Sequence, residues 1–286
     1  MEAEEKLKRL YLLLKGMKKV AIAFSGGVDS SFLLKVALDT LGNQNVLAIT
    51  ISSPLHLKDE IQEAENIAKN LNVNWEIIEL NELEHENIKE NNPDRCYWCK
   101  LVRFSKLKET TRAKNYKWLL EGSNYDDLSD YRPGLKALKE LGIRSPLIEV
   151  GFTKEEIREL ARYKGLQNWN KTSSACLATR IPFGTKLTIE VLTRVGKAEK
   201  ALKEFGLPFF RIREHGDVVR IEVHPESFLF VLNKRKEISK VLKEVGYKYI
   251  TLDLEGYRPS GLSFYNQNGS TSSAVSPCRG FLKGSE

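Results

Sequence analysis

Short apolar runs alternate with helically spaced apolar positions along the first two thirds of the chain. Residues 3–16, 32–41 and 58–71 have the spacing of amphipathic helices. We predict strands at residues 19–24, 46–51, 75–80 and 117–121, and a fifth at 147–149. A further helix follows, with Thr153 as its N-cap and Glu156 three residues later. This alternation predicts an α/β fold in which helices cover both faces of a parallel sheet.

The pattern changes after residues 180–186, a stretch that contains glycine and proline. We therefore predict a first domain over residues 1–180 and a second, smaller α/β domain over 187–260. The smaller domain is predicted to contain helices at 189–205 and 225–244 and strands at 209–214, 218–223 and 247–254. Residues 261–286 are rich in Ser, Gly and Asn and are predicted to form a flexible tail.

The chain of 286 residues carries 45 Lys and Arg against 38 Asp and Glu, a formal charge of +7. This balance favours an anionic partner, but it does not choose between a nucleotide, a phosphorylated metabolite and RNA. No apolar run approaches the length of a membrane span, and the charged N-terminus does not lead into a signal peptide. We expect a cytoplasmic protein that has no membrane partner and forms a homo-oligomer.

The strongest local signal is the string Ser-Gly-Gly-Val-Asp-Ser-Ser at residues 25–31, directly after the first strand. Gly26 and Gly27 allow a tight turn whose N–H groups approach an anion, and the next helix presents its N-terminus there. An ordinary strand–helix connection with a serine cap is the alternative, but it does not account for the whole string. Neither the Walker A motif nor the G-x-G-x-x-G motif of dinucleotide-binding proteins occurs.

The cysteines form a second group of candidates. Cys96 and Cys99 are a C-x-x-C pair, and this spacing is compatible with a redox dithiol, half of a zinc site or part of an iron–sulfur site. For zinc, neither His56 nor His85 has a recognisable ligand spacing to the pair. With Cys176 as third ligand, a cluster would keep one iron open to carry sulfur. A buried structural role remains an alternative for Cys176, and Cys278 falls in the predicted tail.

Residues 25–31 resemble the SGGxDS signature of the PP-loop ATP pyrophosphatases. The resemblance implies cleavage of ATP between the α- and β-phosphates, with Mg²⁺ beside Asp29. It also implies that the adenine lies at the end of the second strand, near Ser52 and Ser53. The ATP contacts that it implies are Ser25, Gly26, Gly27, Asp29, Ser30 and Ser53.

A wider resemblance, to the LarE family of ATP-dependent sulfur transferases, extends in order to about residue 260. It rests on residues 122–127, 130–134, 146–147, 153–158, 175–184 and 251–258. The family resemblance implies that a carboxylate of a pyridinium mononucleotide, the precursor of the nickel-pincer cofactor, is adenylated. Sulfur then reaches the activated carbonyl. The best-known members sacrifice one cysteine, in the region of Cys176.

This chain departs from those members because it also carries Cys96 and Cys99. In that respect it resembles a branch of the family, and related tRNA-thiolating enzymes, in which three cysteines bind a 4Fe-4S cluster. We favour this cluster, held by Cys96, Cys99 and Cys176, over a cysteine-only mechanism. A sulfur on its open iron would then attack the acyl-adenylate.

The resemblance implies further site residues. Gly122 and Asn124 would contact the nucleotide cofactor. Asn124, Asp126 and Asp127 would help to hold Mg²⁺ or the activated intermediate, with Asp29, Asp126 and Cys176 as catalytic residues. Arg211 and Arg213 alternate along one strand, so they share a face that either is solvated or binds the substrate phosphate. Arg180 and Glu199 are the remaining candidates, the glutamate as a metal ligand.

The expected substrate is a small nucleotide, and the sulfur donor stays open. A tRNA uridine thiolase is one alternative: the basic charge favours it, but we find no zinc ribbon or RNA-binding motif. An amide-forming ligase of the NAD or GMP synthetase type would leave the C-x-x-C pair unexplained. The phosphate loop argues against a non-catalytic nucleotide or iron sensor.

Overall fold

The computed structural model describes residues 2–129, 133–172, 175–207 and 209–257. A four-stranded parallel sheet forms in the order β3-β2-β1-β4. Its strands are β1 (Val20–Ala23), β2 (Val46–Ser52), β3 (Asn74–Glu79) and β4 (Trp118–Leu120). The four predicted strands and the parallel arrangement are therefore confirmed.

Helices cover both faces of this sheet, as predicted. They are α1 (Glu2–Met17), α2 (Val28–Leu41), α3 (Lys58–Asn70), α4 (Glu86–Lys89), α5 (Arg95–Ala113), α6 (Pro133–Glu140), α7 (Pro146–Val150) and α8 (Lys154–Tyr163). Because side chains alternate along a strand, Ile22 packs with α1, α2 and α8 on one face. Ala21 and Leu47 pack with Phe104 of α5 on the other face.

The predicted fifth strand is wrong. Residues 147–149 belong to α7, which begins at Pro146 and ends before Gly151. Proline suits the first turn of a helix because its missing N–H is not needed there. Gly151 has a φ of 82°, the left-handed conformation that commonly terminates a helix. Strand-like pairing occurs earlier, where Arg144 forms an isolated parallel bridge with Leu120.

The second part of the chain forms a three-stranded sheet in the order β5-β6-β7. Its elements are α9 (Ile189–Glu204), β5 (Phe210–His215), β6 (Val218–Val223), α10 (Phe228–Asn233), α11 (Arg235–Glu244) and β7 (Tyr249–Leu252). The β5–β6 pair is antiparallel and the β6–β7 pair is parallel. The single helix predicted at 225–244 is interrupted at Lys234, which separates α10 from α11.

One buried core joins the three-stranded sheet to loops and helices of the first part of the chain. Leu55, Ile88 and Leu177 from the first part pack with Leu192 of α9 and Ile212 of β5. The domain boundaries stay a prediction, and the predicted tail at 261–286, with Cys278, lies outside the described residues. Within the described part of the chain, no helix is both long enough and apolar enough to cross a membrane.

Candidate active site

The phosphate loop connects β1 to α2, and hydrogen bonds between neighbouring residues of the loop hold its shape. Gly26 has a φ of 70°, and a Cβ there would lie 3.1 Å from the Ala64 Cα of α3. The Ser30 hydroxyl donates to the Gly27 carbonyl at 3.1 Å and accepts from the Ser25 N–H at 3.3 Å. Glycine is therefore required at position 26, and the loop presents the N-terminus of α2 to a ligand.

Asp29 lies in the first turn of α2 with one oxygen engaged and one unsatisfied. Its Oδ2 accepts a hydrogen bond from the Lys154 Nζ at 2.5 Å. Its Oδ1 is buried and has no hydrogen-bond partner among the described residues. Burial raises the pKa of Asp29, Lys154 opposes the shift, and the negative charge of Asp127 adds to it. An orphaned carboxylate oxygen beside a second carboxylate suits Mg²⁺, which prefers oxygen ligands.

A cavity of 370 Å³ opens beside the loop, where β1, β2 and β4 reach their carboxyl ends. The chain leaves β1 towards β2 on one side, and β4 lies on the other side, so the cavity lies at a topological switch point. Gly122, after β4, approaches the loop so closely that a Cβ would lie 2.9 Å from the Ser30 nitrogen. This is the usual place for a ligand in such a sheet, and we call it the nucleotide cavity.

The predicted ATP contacts divide between two cavities. Ser25, Gly27, Asp29, Ser30 and Gly122 line the nucleotide cavity, together with Asp127. Ser53 instead lines a neighbouring cavity of 1040 Å³, and its hydroxyl accepts from the Leu55 N–H at 3.0 Å. From β2, the residues that line the nucleotide cavity are Ile49, Thr50 and Ile51.

Asn124 and Asp126 organise the segment after β4. Asn124 is buried, and its side chain accepts from the Asp126 N–H at 3.0 Å. Asp126 is exposed, and its Oδ2 accepts from the backbone N–H of Lys154 at 2.8 Å. Lys154 thus connects this segment, through its backbone, to Asp29, through its ammonium group.

Helix α5 connects the thiols to the nucleotide cavity. Cys96 and Cys99 lie in its first turns, and Lys100, Arg103 and Phe104 line the cavity. Leu107, one turn further, lines it as well. The same helix therefore carries the C-x-x-C pair at one end and one wall of the cavity along its middle.

Arg95 ties this end of α5 to the segment that contains Cys176. The Arg95 side chain is 1% exposed, and its Nη1 donates to the Ala178 carbonyl at 3.2 Å and to the Asn91 side chain. Its Nη2 lies 3.9 Å from the Cys96 sulfur. Cys176 immediately precedes the short 3-10 turn Leu177–Arg180. One buried side chain thus contacts both thiol-bearing segments.

The three thiols are neighbours, but they are not arranged as a finished metal site. Burial raises the pKa of Cys99 to about 12, and Cys176 and Cys96 add to the rise while Arg103 opposes it. Among the described residues, no group of three or more His, Cys, Asp or Glu side chains could hold a metal ion. The chemistry of the donors nevertheless suits an iron–sulfur cluster, because such clusters are held by cysteine thiolates.

The three arginine candidates are buried, so a solvated strand face is excluded. Arg180 forms a two-pronged ion pair with Glu199 at 2.6 and 3.1 Å. Arg213 pairs in the same way with Glu222 at 2.8 and 3.1 Å, and it donates to the Thr179 carbonyl at 2.8 Å. Both oxygens of Glu199 are thus engaged by Arg180.

Arg211 differs from the other two because no carboxylate pairs with it among the described residues. Its Nη2 donates to the Tyr257 hydroxyl at 3.2 Å, and its Nε is buried without a partner. Burial lowers the pKa of Arg211, and the positive charge of Arg180 lowers it further. We call the following set the thiol–arginine region: Cys96, Cys99, Cys176, Arg180, Arg211 and Arg213.

Sequence reasoning missed several residues of this site. Helix α5 went unnoticed, although Phe104, Leu107 and Thr111 are buried at helical spacing. Arg95 directly precedes the C-x-x-C pair, and no local pattern marks its side chain as buried. Nothing in the local sequence points to the contact of Lys154 with Asp29, because 125 positions separate the two residues.

Comparison with known proteins identifies the family. A family model described as NAD synthase matches residues 2–117. The pyridinium-3,5-bisthiocarboxylic acid mononucleotide synthase of Lactiplantibacillus plantarum is 40% identical over 252 residues, which cover 87% of this chain and 90% of the relative. This chain belongs to the LarE family of ATP-dependent sulfur transferases. An uncharacterised protein of Synechocystis is 39% identical over 91% of this chain and 97% of its own length.

The likeness to the NAD(+) synthetases is confined to part of the chain. The glutamine-dependent NAD(+) synthetase of Aquifex aeolicus is 32% identical over 88 residues, which are 31% of this chain and 16% of the relative. By contrast, the two matches described above cover 87% and 91% of this chain, so they include the thiol–arginine region. The match to the LarE-family relative is thus both longer and of higher identity than the match to the NAD(+) synthetase.

Proposed function

We propose that this LarE-family protein adenylates a carboxylate of a pyridinium mononucleotide and then replaces the activated oxygen with sulfur. The observation that carries the proposal is the position of α5. Its first turns bear Cys96 and Cys99, while Lys100 and Arg103 line the nucleotide cavity. A sulfur donor at the thiols would therefore act close to a nucleotide in the cavity.

The first step uses the phosphate loop. A substrate carboxylate oxygen attacks the α-phosphorus of ATP, and pyrophosphate leaves with the electron pair of the broken P–O bond. The loop N–H groups and the N-terminus of α2 offset the charge that builds on the pyrophosphate. Asp29, with its unsatisfied Oδ1, and Asp127 are the residues that we propose for Mg²⁺, which would offset negative charge on the phosphates when bound.

The second step takes place towards the thiol–arginine region. A reduced sulfur atom attacks the carbonyl carbon of the acyl-adenylate, the C–O bond breaks, and AMP leaves with its electron pair. Cys96, Cys99 and Cys176 are the residues that would hold a 4Fe-4S cluster. When bound, such a cluster supplies one iron without a protein ligand, which can carry sulfur.

The substrate phosphate would bind Arg211. The charges of Arg180 and Arg213 are already matched by Glu199 and Glu222. Arg211 has no such partner among the described residues, so its charge is available to an anion. We propose that Arg180 and Arg213 position the Cys176 segment, because they donate to the Ala175 and Thr179 carbonyls.

The adenylation step is tested with the Asp29→Asn variant. The wild-type protein, supplied with ATP, Mg²⁺ and the pyridinium dicarboxylate mononucleotide, should release AMP and pyrophosphate. Asp29→Asn should abolish both products, because the Mg²⁺-binding charge is lost. Asp39→Asn is the control, since Asp39 lies on the same helix and pairs with Lys35 and Lys164 away from the cavity. Full AMP formation by Asp29→Asn would disprove the assignment.

The cluster is tested by iron and sulfide content in protein purified without oxygen. We expect about four irons per chain, lost when any one of Cys96, Cys99 or Cys176 is replaced by alanine. Cys278→Ala is the matched control and should retain the iron. An absence of iron, with a mass loss at Cys176 after turnover, would mean that Cys176 itself gives up its sulfur.

A further inference from the structure

A buried group of charged and polar side chains lies between the nucleotide cavity and the thiols. Glu82 is 0% exposed, and neither of its carboxylate oxygens has a hydrogen bond among the described residues. Its cation is Arg103, whose Nε lies 3.6 Å from the Glu82 Oε1. Because a buried carboxylate without hydrogen bonds is costly, the pair holds Arg103 in this place by its charge.

His56 holds the other side of the same guanidinium. The Arg103 Nη1 donates to the His56 Nε2 at 3.3 Å. Arginine can only donate, so His56 accepts through Nε2 and carries its proton on Nδ1. Burial, together with the charge of Arg103, lowers the pKa of His56 to about 3, which keeps the ring neutral. His56 and Glu82 therefore fix two of the three guanidinium nitrogens.

The third nitrogen is available to a ligand. The Arg103 Nη2 makes no hydrogen bond within the described part of the chain, and Arg103 lines the nucleotide cavity. A guanidinium that is held on two sides and open on the third is arranged to bind an anion without reorganisation.

We propose that Arg103 binds the α-phosphate of the nucleotide, with Glu82 and His56 as positioning residues. The assignment to this phosphate rests on the proposed function. Arg103 follows Cys99 by four residues on α5, a rise of about 6 Å. The acyl carbon that takes up sulfur is one oxygen away from the α-phosphorus, whereas the pyrophosphate end belongs at the phosphate loop.

This position gives Arg103 a role in the second step. As the C–S bond forms and the C–O bond breaks, the AMP phosphate takes the electron pair and gains negative charge. The charge-assisted hydrogen bond from Arg103 stabilises that charge as it develops. Glu82 prevents Arg103 from leaving the cavity wall when AMP departs.

The proposal is tested by calorimetric binding of AMP and, separately, of pyrophosphate. Arg103→Met alone would leave Glu82 buried without a cation, so the variant is the neutral pair Arg103→Met/Glu82→Gln. We expect AMP to bind about 10- to 100-fold more weakly, with pyrophosphate affinity unchanged. The AMP affinity of Arg103→Lys should lie between those of the wild type and the neutral pair variant, since lysine retains the positive charge but lacks the planar set of N–H donors of a guanidinium. Arg112→Ala, an exposed position on the same helix, is the control.

Each other outcome overturns the proposal. Unchanged AMP affinity would remove Arg103 from the nucleotide site, and a selective loss of pyrophosphate affinity would assign it to the leaving group. Equal loss for both ligands would indicate a structural role only. These measurements need no turnover, so the two failures are distinguishable. A wild-type protein that forms no thiocarboxylate would contradict the proposed function, whereas the AMP titrations would still show whether Arg103 binds the AMP phosphate.

Discussion

The phosphate loop and the thiol–arginine region differ in how they are built. The loop is a run of consecutive residues, and the hydrogen bonds among its own members join positions no more than five apart. Asn168 and Lys154 add contacts from distant parts of the chain, to the Gly26 carbonyl and to Asp29. The thiol–arginine region is assembled from α5, the turn before α9 and strand β5, and two of its arginines, Arg180 and Arg213, are paired with buried glutamates. The shape of the loop thus depends mainly on local backbone geometry, and its ion pair with Lys154 is partly exposed. The other region depends on ion pairs between different elements that are almost fully buried.

The difference predicts that the thiol–arginine region is the more sensitive of the two to the loss of one charge. Glu222 is 1% exposed and accepts from both Arg213 and Arg220. Glu222→Gln leaves Arg213 buried without a counter-charge, so the free energy of unfolding should fall by about 3–5 kcal/mol. Urea-induced unfolding measures it, and Glu226→Gln, at an exposed carboxylate, is the control.

A second variant separates the cost of an unpaired charge from the value of the pair. Arg213→Met/Glu222→Leu removes both charges, and it should recover most of the stability that Glu222→Gln loses. If the double variant were the less stable of the two, the pair itself would stabilise the region. That result would remove the contrast with the phosphate loop.

This contrast also explains what could be predicted from the sequence. The loop, each of the four parallel strands and the C-x-x-C pair consist of a few consecutive residues, so local sequence patterns identify them. The pairing of Arg180 with Glu199 joins two predicted domains, and no local pattern contains it. The strand predicted at 147–149 is instead part of α7, because a short apolar run does not by itself distinguish a strand from a helix.

Helix α5 is the element that the sequence pattern does not predict. Its first turns bear Tyr97 and Trp98 between the two cysteines, so in the sequence this segment resembles a thiol motif more than a helix. The helical spacing of its buried residues begins only at Phe104. The consequence for function was large, because α5 carries both Arg103 and one wall of the nucleotide cavity.

The phosphate loop should be most sensitive to added volume. In Gly122→Ala, the new Cβ would lie 2.9 Å from the Ser30 nitrogen and 3.1 Å from its Cα. Backbone cannot move aside as a side chain does, so we expect a loss of about 1–3 kcal/mol in stability. ATP affinity should fall with it, measured by calorimetry.

The control for this variant is Gly16→Ala in α1. Nothing lies within 4 Å of the Cβ that it adds. Stability should stay the same or rise by about 0.5–1 kcal/mol, because alanine suits a helix better than glycine. Equal effects at the two positions would mean that Gly122 does not press against the loop.

The smallest expected effect lies between the two regions, at His56, and it depends on pH. The His56 pKa is about 3 in the folded protein, against about 6.5 in an unfolded chain. Below about pH 6.5 the unfolded chain therefore binds a proton that the folded one does not. Stability should then fall by about 1–2 kcal/mol from pH 7 to pH 5, in addition to the contributions of other groups.

His56→Gln tests this origin, because glutamine can still accept from Arg103 but does not titrate. The stability of the variant should depend less on pH over this range than that of the wild type, measured by urea unfolding at each pH. His224→Gln, at an exposed ring, should leave the dependence unchanged. If His56→Gln retained the full dependence, the histidine would be protonated in the folded protein. Arg103 would then face a second cation, and the arrangement that fixes its guanidinium beside the nucleotide could not hold.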